Sequence, residues 1–333
     1  MSAEPAGIEA GPYIGSLSQT GFVESLAFEN GPARGTRLIR VANGGGIEFD
    51  LLPDRALDIG RLTADGVPVA WISPPGTTSP WAYEPEGHGW LRTFGGGLLA
   101  TCGLDTYGSP GADGDELLGQ HGRIGASPAV VTRQEIDGEG VIVQAHARQA
   151  RVLGENLVLH RTVRSPWKSR SVTVTDRVRN EGFAPAPHMI LYHCNFGWPL
   201  LAPTASLRIA SDEVEPRDPD AAQGLAEWDR IPEPTPGWRE QVFTHRLRHS
   251  AEPAAVLRNE AIGLEARMSF DSGRLPCLYQ WKMTGEGHYV MGLEPSNCPG
   301  VHGRAATREA GELPSLAPGE TAEYEITFTF SRL

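Results

Sequence analysis

Between residues 171 and 180 the chain reads SVTVTDRVRN, a two-residue alternation with hardly a break. Successive side chains of an extended strand point to opposite faces. Ser171, Thr173 and Thr175 therefore face one way, and Val172, Val174 and Asp176 the other. The same period recurs from end to end. TRLIRVAN runs through a glycine triplet into IEFDLLPDRALDIGRL, and ADG reads as a hairpin turn before VPVAWI. GVIVQAHARQARVLGENLVLHRTVR supplies two or three strands, broken at Gly154-Glu155-Asn156. TAEYEITFTFSRL places Ala322, Tyr324, Ile326, Phe328 and Phe330 on one face. Strands at intervals of about ten residues along a whole chain predict an all-β fold, one large antiparallel sandwich.

Helical periodicity is scarce. DPDAAQGLAEWDRI is the best short helix candidate, and its Gly224 weakens it. The 40 glycines and 27 prolines supply turns instead. The proline-rich IPEPTPGW, residues 231–238, reads as a loop between strands rather than a linker. The expected organisation is a single domain over 1–333, with residues 1–34 as an N-terminal extension packed in part on the sandwich. A net charge of -12 without any Lys/Arg-rich run gives a nucleic-acid partner no electrostatic support. The N-terminal stretch lacks the pattern of a secretory signal, and no apolar run approaches the roughly 20 residues needed to span a bilayer. A cytoplasmic protein without membrane partners is expected. Its four cysteines, which form no CxxC pair, are then expected to be reduced thiols.

Residues 73–128 break the strand pattern. They are rich in glycine, proline and aromatics, and a loop this long in a compact domain is usually functional or disordered. Trp81, Tyr83, Trp90, Phe94 and Tyr107 argue against disorder. Aromatic rings on loops suit the apolar CH face of a pyranose; they equally suit anchoring the loops themselves. Trp81 and Trp90 are the expected platforms.

Three polar residues stand in unusual places. His121 precedes a glycine in GQHGRIG, where it reads as a turn residue or a site residue. His193 lies inside the apolar run LYHCNFGWPLL, as a core histidine or a working acid. Glu294 closes the apolar strand HYVMGL and precedes a proline, so it is either a partly exposed strand end or a desolvated carboxylate. The order HG, then YHCNFG, then GLEPSNCPG resembles the aldose 1-epimerase (galactose mutarotase) family over roughly residues 35–331. That resemblance implies a galactose mutarotase-like supersandwich with long loops over an open sugar-binding cleft. It implies His193 as general acid, Glu294 as general base and His121 as a substrate contact. Arg55, from PDRALDIGRL, is the choice for the family's early arginine. Cys194 stands where the family usually has proline, and Gly197-Trp198 replace its usual leucine. Its further substrate-binding aspartate has no placed counterpart.

Anomer interconversion removes the C1 hydroxyl proton and protonates the ring oxygen, then reverses both steps after the open chain rotates. One acid and one base suffice, and no cofactor is required. Histidine titrates near neutrality, and a desolvated glutamate is raised toward it. Asn195 reads as a hydrogen-bonding partner of the site or as a simple strand-end residue. Arg55, Arg92 and Arg123 together could recognise an anionic sugar. Two other function classes compete. A metal-dependent sugar isomerase, epimerase or lyase would draw on His121, His188, His193 and Glu294, joined by His302 or Cys298. A carbohydrate-binding protein without turnover would retain the cleft alone.

Overall fold

The alternation at 171–180 forms a strand, Ser171–Asn180, with Val172, Val174 and Asp176 buried and the intervening Ser and Thr side chains half-buried. The computed structural model of the chain describes residues 13–136, 139–248 and 254–333. Among these residues two large sheets form, and their strands pair antiparallel throughout.

The larger sheet has eleven strands. From one edge it runs Phe22–Ala27, Arg37–Ala42, Ile47–Leu52, Asp58–Ala64, Leu99–Cys102, Leu191–Gly197, His288–Ser296, Cys277–Gly285, Gln241–Leu247 and Ser211–Pro216, with the short Val67–Pro68 paired to Asp58–Ala64. The eight-stranded sheet runs Ala205–Ile209, Ala255–Asn259, Leu264–Phe270, Thr321–Arg332, Ser171–Asn180, Asn156–Pro166, Gly140–Ala150 and Val130–Ile136. Apolar faces of both sheets meet in one core. Phe49, Ile59 and Phe196 from the first pack in the same cluster as Val174, Ile326 and Phe328 from the second. Each such side chain contributes roughly 1.5–3 kcal/mol by leaving water.

Asp176 shows why a carboxylate sits among valines. Its oxygens accept from Arg161 Nε at 2.8 Å and a terminal guanidinium nitrogen at 2.6 Å. Arg161 reaches across to the other sheet, to Asp58 at 2.7 Å and the Thr101 hydroxyl at 2.8 Å. The Tyr192 hydroxyl donates to Asp176 at 2.8 Å. One fully buried guanidinium thus ties the two sheets together.

Several expectations need correction. The helix expected over 218–231 shrinks to Pro219–Gln223 and a 3-10 turn at Leu225–Glu227; Gly224, between them, caps the first. The helix Arg304–Glu309 went unforeseen. Residues 140–166 make two strands with the break at Gly154-Glu155 as expected, and only Asn156 differs, since it opens the second strand. Within the expected extension 1–34, Phe22–Ala27 is an edge strand of the larger sheet, while residues 1–12 lie outside the described part. The segment 73–128 is built from short turns, the strand Leu99–Cys102 and a small hairpin. Arg304 clamps that hairpin through Asp113 at 2.6 Å and also bonds Asp105 and Glu116. All four cysteines are free, and burial pushes each thiol above its ordinary pKa, so thiolate chemistry is disfavoured. No helix among the described residues is long and apolar enough to cross a membrane.

Candidate active site

Leu191–Gly197 and His288–Ser296 are neighbours, with Leu191 opposite Ser296 and Cys194 opposite Leu293. That register sets His193 across from Glu294. Directly opposed residues on one face hold their Cβ atoms about 4.5–5.5 Å apart. Two residues a hundred positions apart in sequence therefore meet by strand pairing alone. His193 Nε2 lies 3.2 Å from Glu294 Oε1, and both side chains are about nine-tenths or more buried. The contact lacks hydrogen-bond geometry; Glu294 Oε1 and His193 Nδ1 have no hydrogen-bonding partner.

Gly292 makes this arrangement fit. It precedes Glu294 by two and shares its face, and a Cβ there would come within 2.6 Å of Glu294 Oε1 and 3.0 Å of the Trp281 Cβ. Only a missing side chain leaves room for the carboxyl beside the indole.

Above the pair, the long loop supplies the roof. Trp90 and Phe94 stack with centroids 4.1 Å apart, and Phe94 reaches within 5.0 Å of the His193 ring. His121 lies 4.6 Å from Trp90 and 5.7 Å from His193, edge-on. Its backbone is left-handed, at φ 57°, and its Nδ1 accepts from the Gly108 N–H at 3.4 Å. In that neutral tautomer Nε2 carries the proton. Trp281 closes another side, edge-on to His193 at 5.3 Å. Its indole N–H donates to Glu240 at 2.9 Å, and Glu240 and Asp218 both bond Arg217. The cleft enclosed by these groups has a volume of about 430 Å³, enough for one monosaccharide.

Burial dominates the electrostatics. It raises the Glu294 carboxyl to about 8, helped by the negative Glu240 and opposed by Arg217. Burial, and then the nearby His121, hold His193 well below its ordinary value, against the Asn195 side chain, which favours the protonated form. His121 falls to about 4, from burial first and Arg217 second. The resting pair is therefore a neutral acid beside a neutral imidazole. The carboxyl that holds the proton thus lies against an uncharged imidazole ring.

His121, His193, Glu294 and Trp90 all line this cleft. Other expected residues do not. Trp81 is 86% exposed and outside the cleft. Arg55 lines a neighbouring cavity and bonds the Gly125 carbonyl and Thr78. Asn195 is fully buried beneath the cleft, its amide donating to the carbonyls of Gly97 and His193. There it is placed to position His193 rather than to touch a ligand, and its Oδ1 has no hydrogen-bond donor. The anion set does not assemble. Arg92 pairs with Glu84 and Arg123 with Glu155, neither toward Arg55. Of the residues named for the competing metal reading, His121, His193, Glu294 and His302 line the cleft. His188 bonds Leu104 O and the Tyr324 hydroxyl through its two ring nitrogens, away from the cleft, and no three His, Cys, Asp or Glu side chains group as ligands among the described residues. Sequence reading missed Trp281, Arg217, Glu240 and Gly292. The one available signal was the glycine in MGLEP, two residues before the glutamate.

Residues 33–330 match the family described as Domain of unknown function (DUF4432). No curated protein matches the chain. Solved structures share its fold. A protein from Klebsiella pneumoniae described as a "putative aldose 1-epimerase" is 24% identical, with a TM-score of 0.84 over 92% of this chain and 83% of its own. A galactose mutarotase-like protein from Clostridium acetobutylicum is 13% identical, with a TM-score of 0.71 over 95% of this chain and all of its own. Galactose 1-epimerase from Lactobacillus acidophilus is 14% identical, with a TM-score of 0.64 over 94% and 99%. At these identities the likeness is one of fold: a galactose mutarotase-like β-sandwich.

Proposed function

Since the chain belongs to the DUF4432 family and has the galactose mutarotase-like fold, we propose that it is an isomerase interconverting the anomers of a neutral sugar. The observation that carries this reading is the buried His193–Glu294 contact at 3.2 Å, open to a cleft of monosaccharide size. A pair holding one proton can take a proton from one oxygen and give one to another without any net charge change.

The hydroxyl oxygen on C1 and the ring oxygen are bonded to the same carbon, so adjacent groups can serve both. His193 Nε2 accepts the C1 hydroxyl proton as the C1–ring oxygen bond breaks. The bonding electrons go to the ring oxygen, which takes the Glu294 proton. The open aldehyde rotates about C1–C2. On closure His193 returns its proton to the carbonyl oxygen, and Glu294 recovers one from the ring hydroxyl. The roles expected from sequence, His193 as acid and Glu294 as base, use the same proton inventory from the opposite starting point. The reaction is redox-neutral and this scheme uses no cofactor or metal.

A neutral substrate is inferred from the wall charges. Arg217, the cleft's cation, is already engaged by Asp218 and Glu240 at 2.7–2.9 Å. A sugar carboxylate or phosphate would meet surplus negative charge. Trp90 and Trp281 offer the stacking surfaces. The experiment is exchange NMR on a panel of neutral aldoses with their acid and phosphate counterparts. The expected result is accelerated anomer exchange for at least one neutral aldose, lost in Glu294→Gln. No acceleration of any sugar by the wild type would overturn the reading.

A further inference from the structure

Behind the Trp90–Phe94 stack lies a second cavity, of about 390 Å³, that shares both rings with the cleft. The remaining walls are largely apolar, with Phe28, Leu38, Leu52 and Ile72 among them. Its charged groups are Arg40, Arg55, Arg61, Asp50 and Asp58.

The charges do not balance within it. Arg40 and Asp50 satisfy one another at 3.0 Å. Asp58 is committed to Arg161 at 2.7 Å and to Thr101. Arg55 is half-buried, yet its guanidinium bonds only neutral oxygens, the Gly125 carbonyl at 3.3 Å and the carbonyl and hydroxyl of Thr78. Its attraction to Asp58 acts through space, and burial still leaves its pKa below the ordinary arginine value. If Arg55 is set against the net negative Asp58–Arg161–Asp176 cluster, Arg61 remains over. Its side chain is exposed at this cavity and makes no hydrogen bond or ion pair among the described residues. In a chain of net charge -12 this is a locally cationic, apolar-walled hole. A guanidinium fork matches a carboxylate in shape and charge, and a partly desolvated one gains most from it.

We propose that this rear cavity is a binding site for a small carboxylate-bearing molecule with an apolar body. The carboxylate lies between Arg61 and Arg55, and the apolar part packs on the back of Trp90 and Phe94. The site is independent of the reaction in the cleft.

The test titrates the full-length chain with benzoate, and with benzamide as its uncharged counterpart, followed by tryptophan fluorescence and thermal shift. Saturable benzoate binding is expected with a Kd near or below about 1 mM, and benzamide at least about tenfold weaker. Arg61→Glu should weaken benzoate by about tenfold or more, and Glu294→Gln should leave it unchanged. Absent saturation, equal binding of benzamide, or an unaffected Arg61→Glu would overturn the proposal. So would loss of benzoate binding in Glu294→Gln, which would move benzoate to the cleft. The benzamide comparison uses the wild type, so the test survives a variant that does not fold.

Discussion

Glu294→Gln should make the protein inactive and, above neutral pH, more stable. The wild-type carboxyl titrates near 4.5 unfolded and is raised to about 8 in the fold. Between those values the native chain holds a proton that the unfolded chain has released. A state that binds the extra proton loses ground as pH rises. The sign is therefore fixed: this group's favourable contribution is complete below about pH 4.5 and is lost as pH climbs toward 8. The slope is about 1.4 kcal/mol per pH unit, and from pH 5 to 8 it integrates to roughly 3–4 kcal/mol. Glutamine keeps the shape, does not titrate and should remove that slope. The buried histidines, His121, His188 and His245, are each held near 4 and act in the opposite direction below about 6.5. They are common to both proteins and cancel in the difference. The assay is urea denaturation of wild type and variant at pH 5, 6, 7 and 8, plotted as the stability difference. A difference that grows with pH in favour of the variant supports a desolvated, proton-holding Glu294. Parallel curves would refute it, because an ordinary solvated carboxylate has no such slope.

Three further outcomes are expected. His193→Gln should slow anomer exchange by about a hundredfold to ten-thousandfold, and the double variant with Glu294→Gln should lose less than the product of the two, measured by exchange NMR. Asn195→Ala should lower kcat about tenfold with KM nearly unchanged and move the acid limb of the pH–rate profile down, since Asn195 favours protonated His193 without lining the cleft; a change confined to KM would count against this positioning role. Asp176→Ala should cost about 3–5 kcal/mol in chemical denaturation, because it leaves Arg161 with one of its two carboxylates.

The fold was legible because burial on one side of a strand writes itself into the sequence at period two. Thr321–Arg332 shows it, with Tyr324, Ile326, Phe328 and Phe330 buried as the alternation requires. Asp176 was placed on the correct face, but its reason, Arg161 on the adjacent strand, involves a pairing that no local pattern records. The same limit applies at the site. His193 and Glu294 stood out because each is a costly residue in an apolar run. Trp281 did not, since an indole in a strand is ordinary; its value comes from sharing a face with Glu294 across the strand pair. Arg217 and Glu240 lie at strand ends 23 residues apart and become a pair only when their strands pair. Trp81 misled because a tryptophan beside a proline turn looks the same whether it faces a cleft or solvent.

Tyr192 and His193 are consecutive residues that serve opposite sides of one sheet: the phenol reaches Asp176 in the core, and the imidazole faces the cleft. A slip of this strand by one residue would exchange them. The tyrosine would project into the cleft, and the imidazole would be driven against a buried guanidinium. Nothing intermediate is available, since the strand is paired on both flanks, to Leu99–Cys102 and to His288–Ser296. Assembly of the cleft face is thus proofread by the ionic cluster on its reverse. A chain with this strand out of register loses the Tyr192–Asp176 bond and the His193–Glu294 contact together, so the two faces are right or wrong as one.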